Sequence, residues 1–302
     1  MKIVLRKIHI VSMTVLVGLG TCSLVNEVPV IPTTNNRMPS NYASFWNSSH
    51  RHLQVPQSQQ PQGIAANMSL PTNTQESENW AGYIDTPASS CSDTSVSGSW
   101  VVPNISASQE NAAVAQWIGL GGSSSPDLLQ MGTSEQFENG QLVAEVFWEK
   151  LPAPAQTVMT VPIGSTISAS ISPAANSCLT WNLKFTVNGQ LHTQMIPPVT
   201  LSSSYAQGIG TSAEWISEKP SDRNDQPNPF ANMGTVAYQS ALVNGQALNS
   251  SGNQVQPVAL VSRDGHVLIA PSTLGKDGES FSTKDLSTNT TTNVTKGAAL
   301  LR

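Results

Sequence analysis

Carboxylates, amides and aromatic rings are the groups this sequence offers for chemistry. A Ser/His/Asp triad needs a histidine, and beyond residue 78 there are only His192 and His266. Neither lies in a G-x-S-x-G nucleophile turn. Cys91 and Cys178 sit among polar loop residues without a catalytic signature. No H-E-x-x-H or other metal-spaced cluster occurs, and no glycine-rich loop opens a helix, so neither a metal nor a nucleotide cofactor is expected. Five segments remain. Asn79-Trp80-Ala81-Gly82-Tyr83 comes first, then Ala115-Gln116-Trp117-Ile118-Gly119-Leu120-Gly121-Gly122. Leu128-Leu129-Gln130-Met131-Gly132 follows, then Glu145-Val146-Phe147-Trp148-Glu149-Lys150-Leu151-Pro152. Thr211-Ser212-Ala213-Glu214-Trp215-Ile216 is last. A carboxylate can shuttle a proton, and a neutral amide can donate to an oxyanion at any pH.

In order and spacing these segments resemble the eqolisin-type glutamic peptidases, the scytalidoglutamic and aspergilloglutamic family. That pattern runs N-W-[AG]-G, W-V-G-I-D-G, L-Q-T-G, Y-E-W-Y-P and A-E-W-I. The likeness spans about Asn79 to Phe281 and includes N-M-G-T-V at Asn232–Val236 and P-S-T-L-G-K-D-G-E-S-F at Pro271–Phe281. The resemblance implies peptide hydrolysis by a glutamine and a glutamate, which fall on Gln130 and Glu214. Glu214 would take a proton from the attacking water and return it to the leaving nitrogen. Gln130 would orient that water and donate to the oxyanion. Trp80 and Trp117 match tryptophans that line the family's cleft, and Glu145, Trp148 and Glu149 match its substrate-contacting segment. An open cleft, peptide or protein substrates and no cofactor follow from the same likeness. There are departures. Gly121 stands where the family has an aspartate, Lys150 and Leu151 replace aromatics, and Met131 replaces a threonine.

Two other classes compete. Sandwich glucanases use paired carboxyls on one strand, in E-x-D-x-E order. Glu145 and Glu149 supply the outer pair, but Phe147 stands where the central aspartate belongs. A lectin-like sandwich would stack Trp and Tyr on sugars, with no need for Gln130 together with Glu214.

From Asn79 onward, short runs rich in Val, Ile, Thr, Trp and Phe alternate with Gly, Pro, Asn and Ser. They predict strands over 97–102, 114–120, 141–148, 157–161, 166–171, 180–187, 190–195, 213–217, 235–237, 258–261 and 266–269. Asn188-Gly189 reads as a type I′ hairpin turn. No window shows convincing helical periodicity. Many short strands over about 200 residues predict an all-β domain, a double β-sandwich of two stacked antiparallel sheets (concanavalin-like).

Only 11% of the 302 residues are charged, 14 basic and 19 acidic. No Lys/Arg stripe exists to neutralise phosphates, which excludes nucleic acid as a partner. Lys2, Arg6 and Lys7 precede an apolar run from Ile10 to about Gly20, the pattern of a secretory signal peptide over 1–25, with a retained signal anchor as the alternative. The protein is therefore expected to be secreted, monomeric and free of the membrane after processing. Residues 26–78 are rich in Pro, Asn, Ser and Gln, with basic Arg37, His50, Arg51 and His52; they read as an extended propeptide or a linker. The peptidase domain is expected over 79–283 and a polar tail over 284–302. Between 79 and 283 stand 15 acidic residues against six Lys and Arg, a balance of −9. So few basic residues leave little cationic self-repulsion in acid. Export also permits a Cys91–Cys178 disulfide, although two small buried thiols fit the sequence equally well.

Overall fold

The computed structural model describes residues 70–88, 93–192, 195–222, 226–250 and 253–287. The expected signal peptide, most of the 26–78 segment, Cys91 and most of the C-terminal tail lie outside them. Cys178 is disulfide-bonded. The described elements are β1 (Gln75–Ser77), β2 (Trp80–Pro87), β3 (Val96–Val101), β4 (Ala113–Gly121), β5 (Leu128–Glu138), β6 (Gln141–Lys150), β7 (Gln156–Thr160), β8 (Thr166–Pro173) and β9 (Thr180–Val187). Beyond them lie β10 (Gln190–Leu191), β11 (Val199–Thr200), α1 (Ser203–Ile209), β12 (Ala213–Glu218), β13 (Thr235–Val243), β14 (Gln246–Ala247), β15 (Asn253–Val261), β16 (Val267–Pro271) and β17 (Phe281–Asp285).

One sheet runs β7-β6-β5-β4-β12-β2-β15 and continues through β16, β17 and the first half of β13. β1 adds to β15 in the only parallel ladder between named strands. The other sheet runs β14-β13-β3-β8-β9, with β10 and β11 on β9. β13 belongs to both. It leaves β17 after Tyr238 and joins β3 from Gln239, with an irregularity before Leu242 and Ser240 at φ 51°. A bend of this kind lets one strand turn a sandwich corner.

The two sheets face each other across a single large core. Ile118, Leu120, Leu129, Met131 and Trp215 from the first meet Trp100, Ile167, Ile171, Leu183 and Phe185 from the second. Two indoles tie the layers together. Trp215 Nε1 donates to the Ser97 carbonyl at 2.7 Å, and Trp100 Nε1 donates to Thr133 Oγ1 at 2.9 Å.

The Asn188-Gly189 turn has φ of 51° and 81°, the left-handed pair that a type I′ turn requires, and joins β9 to β10. The expected 190–195 strand is shorter, pairing only over Gln190–Leu191. β1 and β17 carry the sheet to Gln75 and Asp285, past the boundaries expected at 79 and 283. Seven described elements were not expected: β1, β2, β5, β11, α1, β14 and β17. β5 escapes pattern reading because Gln130, Thr133, Ser134, Glu135 and Gln136 are polar yet buried. β17 is only five residues long. α1 is seven residues long, too short for helical periodicity to show; the Ser202 side chain caps it, accepting from the Tyr205 amide.

Candidate active site

Ser77 ties the β1–β2 turn and so places the first motif. Its Oγ accepts from the amides of Asn79 (3.3 Å) and Trp80 (3.0 Å). Asn79 Nδ2 donates to Glu218 Oε1 at 3.2 Å, and Trp117 Nε1 donates to Glu218 Oε2 at 2.7 Å. Trp80 meets Trp117 edge-on, with ring centres 4.9 Å apart at 77°. Glu218 thus holds two motifs distant in sequence to one place. The sequence reading did not single it out, although on a strand Glu214 and Glu218 share a face.

Strand register assembles the rest. Across β12, β4, β5 and β6, Glu214 stands opposite Gly119, Gly119 opposite Gln130, and Gln130 opposite Glu149. The next row on that face is Ile216, Trp117, Gly132 and Phe147. The third is Trp80, Glu218, Ala115, Ser134 and Glu145. Six of the seven sequence-predicted contact residues (Gln130, Glu214, Trp80, Trp117, Glu145 and Glu149) therefore share one face of the first sheet. Trp148 does not. It pairs with Met131 and packs against the inter-sheet core from the opposite face.

Two glycines shape the rows. A Cβ at Gly132 would sit 2.1 Å from the Gln116 carbonyl oxygen and 2.5 Å from Trp117 Cβ, so only glycine lets β4 and β5 approach here. A Cβ at Gly119 would meet the Trp117 ring at 2.9 Å and Gln130 Cβ at 3.3 Å. Between Glu214 and Gln130, then, there is backbone with no side chain. The two are two strand spacings apart, about 9–10 Å between backbones.

Gln130 Nε2 donates to Glu149 Oε2 at 2.6 Å, which fixes the amide orientation. Gln130 Oε1 and both Glu214 oxygens make no hydrogen bond of ordinary geometry. Gln130 and Glu214 are both 0% exposed, and Glu149 is 1% exposed. The open cleft expected from the sequence is thus not what the structure shows: the pair is enclosed, with the apolar group of Trp80, Ile84, Trp117, Leu128, Phe147 and Ile216 around it. Burial pushes the Glu214 carboxyl well above the ordinary carboxylate range. The nearby Ser212 hydroxyl opposes this, and the charges of Asp93 and Asp85 add to it.

Glu145 is partly exposed and accepts from Thr157 Oγ1 at 3.1 Å. Four residues of strand separate it from Glu149, about 13 Å along the backbone. Glycosidase carboxyl pairs lie about 5–9.5 Å apart. With Glu149 held by Gln130, these two do not form such a pair. Among the described residues no group of three or more His, Cys, Asp or Glu could hold a metal ion, and no helix is long and apolar enough to cross a membrane.

The sequence pattern of the Peptidase A4 family matches residues 78–282. Scytalido-glutamic peptidase with a transition-state analog inhibitor has a TM-score of 0.55 at 21% identity, over 69% of this chain and 98% of that one. The same enzyme with a peptide-based transition-state analog gives 0.54 at 20% identity, over the same shares. SCP-B, a member of the eqolisin family in a complex with the tripeptide Ala-Ile-His, gives 0.52 at 21%, again over 69% and 98%. At these identities the structural likeness is one of fold. No curated protein matches the chain. With its motifs in register on one sheet and the family pattern covering that sheet, the chain belongs to the Peptidase A4 family, the glutamic peptidases of the eqolisin type.

Proposed function

We propose that this glutamic endopeptidase is secreted, works in acid and cleaves peptide bonds over Gly119, with Glu214 and Gln130 acting from either side. The observation that carries the reading is the register row that puts a carboxyl and an amide on one face, flanking a residue without a side chain. The pair is enclosed in this structure, so a peptide reaches it only when this face opens; lying along the opened face, it brings its scissile carbonyl between them. Ionised Glu214 takes a proton from water as the oxygen attacks the carbonyl carbon. The carbonyl π electrons move onto oxygen, and that oxyanion accepts from Gln130. An amide has two N–H donors. Glu149 accepts one, which leaves the other for the oxyanion. The intermediate collapses with cleavage of the C–N bond, and Glu214 gives its proton to the leaving nitrogen. The products are one carboxylic acid and one amine, and Glu214 ends as it began.

Burial sets the pH logic. Because the Glu214 carboxyl is held well above its usual range, it carries its proton at rest in acid. The base is then the minority form, and its fraction grows about tenfold per pH unit. The same shift makes that form the stronger base, which offsets its scarcity. The acid working range follows from the fold, whose buried Asp85, Asp93 and Glu135 favour low pH.

The basic residues of 26–78 suit the acidic balance of the domain. We assign that segment as a propeptide that docks electrostatically near neutrality and loosens as carboxylates protonate. The mature enzyme is assigned as a monomer. Added 26–69 peptide should inhibit a chain beginning at Leu70 more strongly near pH 6 than near pH 3. Inhibition indifferent to pH and salt would refute electrostatic docking.

Glu214→Gln tests the main reading, since it keeps shape and polarity but removes titration. Turnover of denatured casein near pH 3 should drop ~10²–10⁴-fold. Near wild-type turnover by a folded variant would take Glu214 out of the mechanism.

A further inference from the structure

Two carboxyls that no step above uses lie beside Glu214 on the other side of the sheet. Asp85 and Asp93 are 0% and 1% exposed. In the β2–β12 ladder Asp85 stands opposite Ala213, next to the Ile84–Glu214 pair. Alternation along β2 turns its side chain to the inter-sheet face, away from the substrate. The Asp93 amide donates to the Gly210 carbonyl at 3.0 Å, just ahead of β12. Both aspartates therefore converge on the start of the strand that carries Glu214.

Among the described residues the charged and polar surroundings are sparse. From β15, Asn253 Nδ2 donates to Asp85 Oδ2 at 2.9 Å. Asp85 Oδ1 and Asp93 Oδ2 are buried without a hydrogen-bond partner. From β2, Ile84 shares the face of Glu214, and the charged groups of β2 and of the segment before β3 that act on Glu214 are Asp93 and Asp85, from across the sheet. On β12 the only other carboxyl is Glu218, four residues on and tied to Trp117 and Asn79. Across the row, Glu149 is tied to Gln130. No Lys, Arg or His of the described residues forms an ion pair with Asp85, Asp93 or Glu214.

We propose that Asp85 and Asp93 are positioning residues that set the pH range over which Glu214 keeps its proton, acting through the sheet from the face opposite the substrate. The assignment rests on the reading of Glu214 as the proton shuttle. Like charges in one dry region cannot all ionise together, so each carboxylate that forms raises the cost of the next. Burial lifts Asp85 to about 7, with the Asp93 charge adding to it and the Asn253 amide opposing, and burial lifts Asp93 to about 6. In acid both are neutral and exert no field. As they ionise toward neutrality they hold the proton on Glu214.

The test follows Glu214 directly. The infrared carboxyl band lost on Glu214→Gln isolates this one group, and its titration is recorded in wild type, Asp85→Asn, Asp93→Asn and the double variant. In the double variant its midpoint should fall by about one unit, and in each single by about half that. The pH limb of kcat/KM should move to lower pH by the same amount, with kcat at the best pH within about twofold of wild type. Thermal midpoints near pH 3 should not change, because both aspartates are already neutral there. A purely structural pair would lower the thermal midpoint and leave the titration in place. An unmoved Glu214 band in a folded double variant overturns the proposal. Should the double variant not fold, Asp93→Asn alone decides at half the shift. If the band moves and the activity limb does not, the proton-shuttle reading fails and the coupling stands.

Discussion

The two sheets treat polar residues in opposite ways. In the second sheet, β8 and β9 alternate cleanly: Ile167, Ala169 and Ile171 point inward, while Thr166 and Ser168 are exposed and Ser170 is partly so. Every residue of β4 and β12 in the first sheet is buried, on both faces. A hydroxyl on β8 can hydrogen-bond to water. A carboxyl on β12 has only what the protein supplies. That difference separates a scaffold from a reactive site, because a group cut off from water has its proton affinity set by its neighbours.

Within the first sheet the buried carboxyls divide again. On the substrate face Glu149 and Glu218 accept from Gln130, Asn79 and Trp117. On the inter-sheet face Glu135 is 0% exposed, with no hydrogen bond of ordinary geometry on either oxygen. Burial lifts it to about 8, against a partial offset from Thr133. Partnered carboxylates fix geometry. Unpartnered ones stay protonated and make the fold depend on pH.

The contrast can be broken by substitution, beginning with the largest effect. Gln130→Ala removes the oxyanion donor and should lower kcat by ~10²–10³-fold near the best pH, with KM little changed. A loss seen mainly in KM would make Gln130 a binding residue instead. Gly132→Ala forces a methyl against the Gln116 carbonyl and should cost about 3 kcal/mol in denaturant unfolding.

The pH dependence of stability comes next in size. Folded Glu135, Asp85 and Asp93 bind protons more tightly than their unfolded counterparts. Below about pH 4 both states are protonated and nothing is lost. As pH rises, the unfolded chain ionises first, and stability falls until the folded values near 6 to 8 are passed. The thermal midpoint should therefore be highest near pH 3 and fall toward pH 8. Glu135→Gln should flatten this fall, gaining about 1 kcal/mol or more near pH 7 and nothing near pH 3. A midpoint that rises with pH would contradict the assignment. The smallest effect belongs to the other sheet: Ser168→Ala, on an exposed hydroxyl, should change stability by less than about 0.5 kcal/mol at any pH.

The same division explains what could be read from the sequence. β9 was legible over its whole length, because its alternation reports one wet face and one dry face. β5 was not, since L-L-Q-M-G-T-S-E-Q-F-E places Gln130, Ser134 and Glu135 where a pattern reader looks for apolar residues. Gln130 and Glu214 were reached through ordered motifs and not through periodicity. Glu218, Asp85 and Asp93 were missed because their roles depend on which strands lie side by side. Trp148 was grouped with the site by its neighbours in sequence, while alternation along β6 sends it to the opposite face.

The central claim is that Gln130 and Glu214 work as one unit across Gly119. A double-mutant cycle on kcat/KM near pH 3, with Gln130→Ala, Glu214→Gln and both together, tests it most directly. Residues that act as a unit are non-additive, so the double variant should be about as impaired as the worse single variant. Losses that multiply, leaving the double variant ~10²-fold or more below either single, would show two independent contributions and contradict the account.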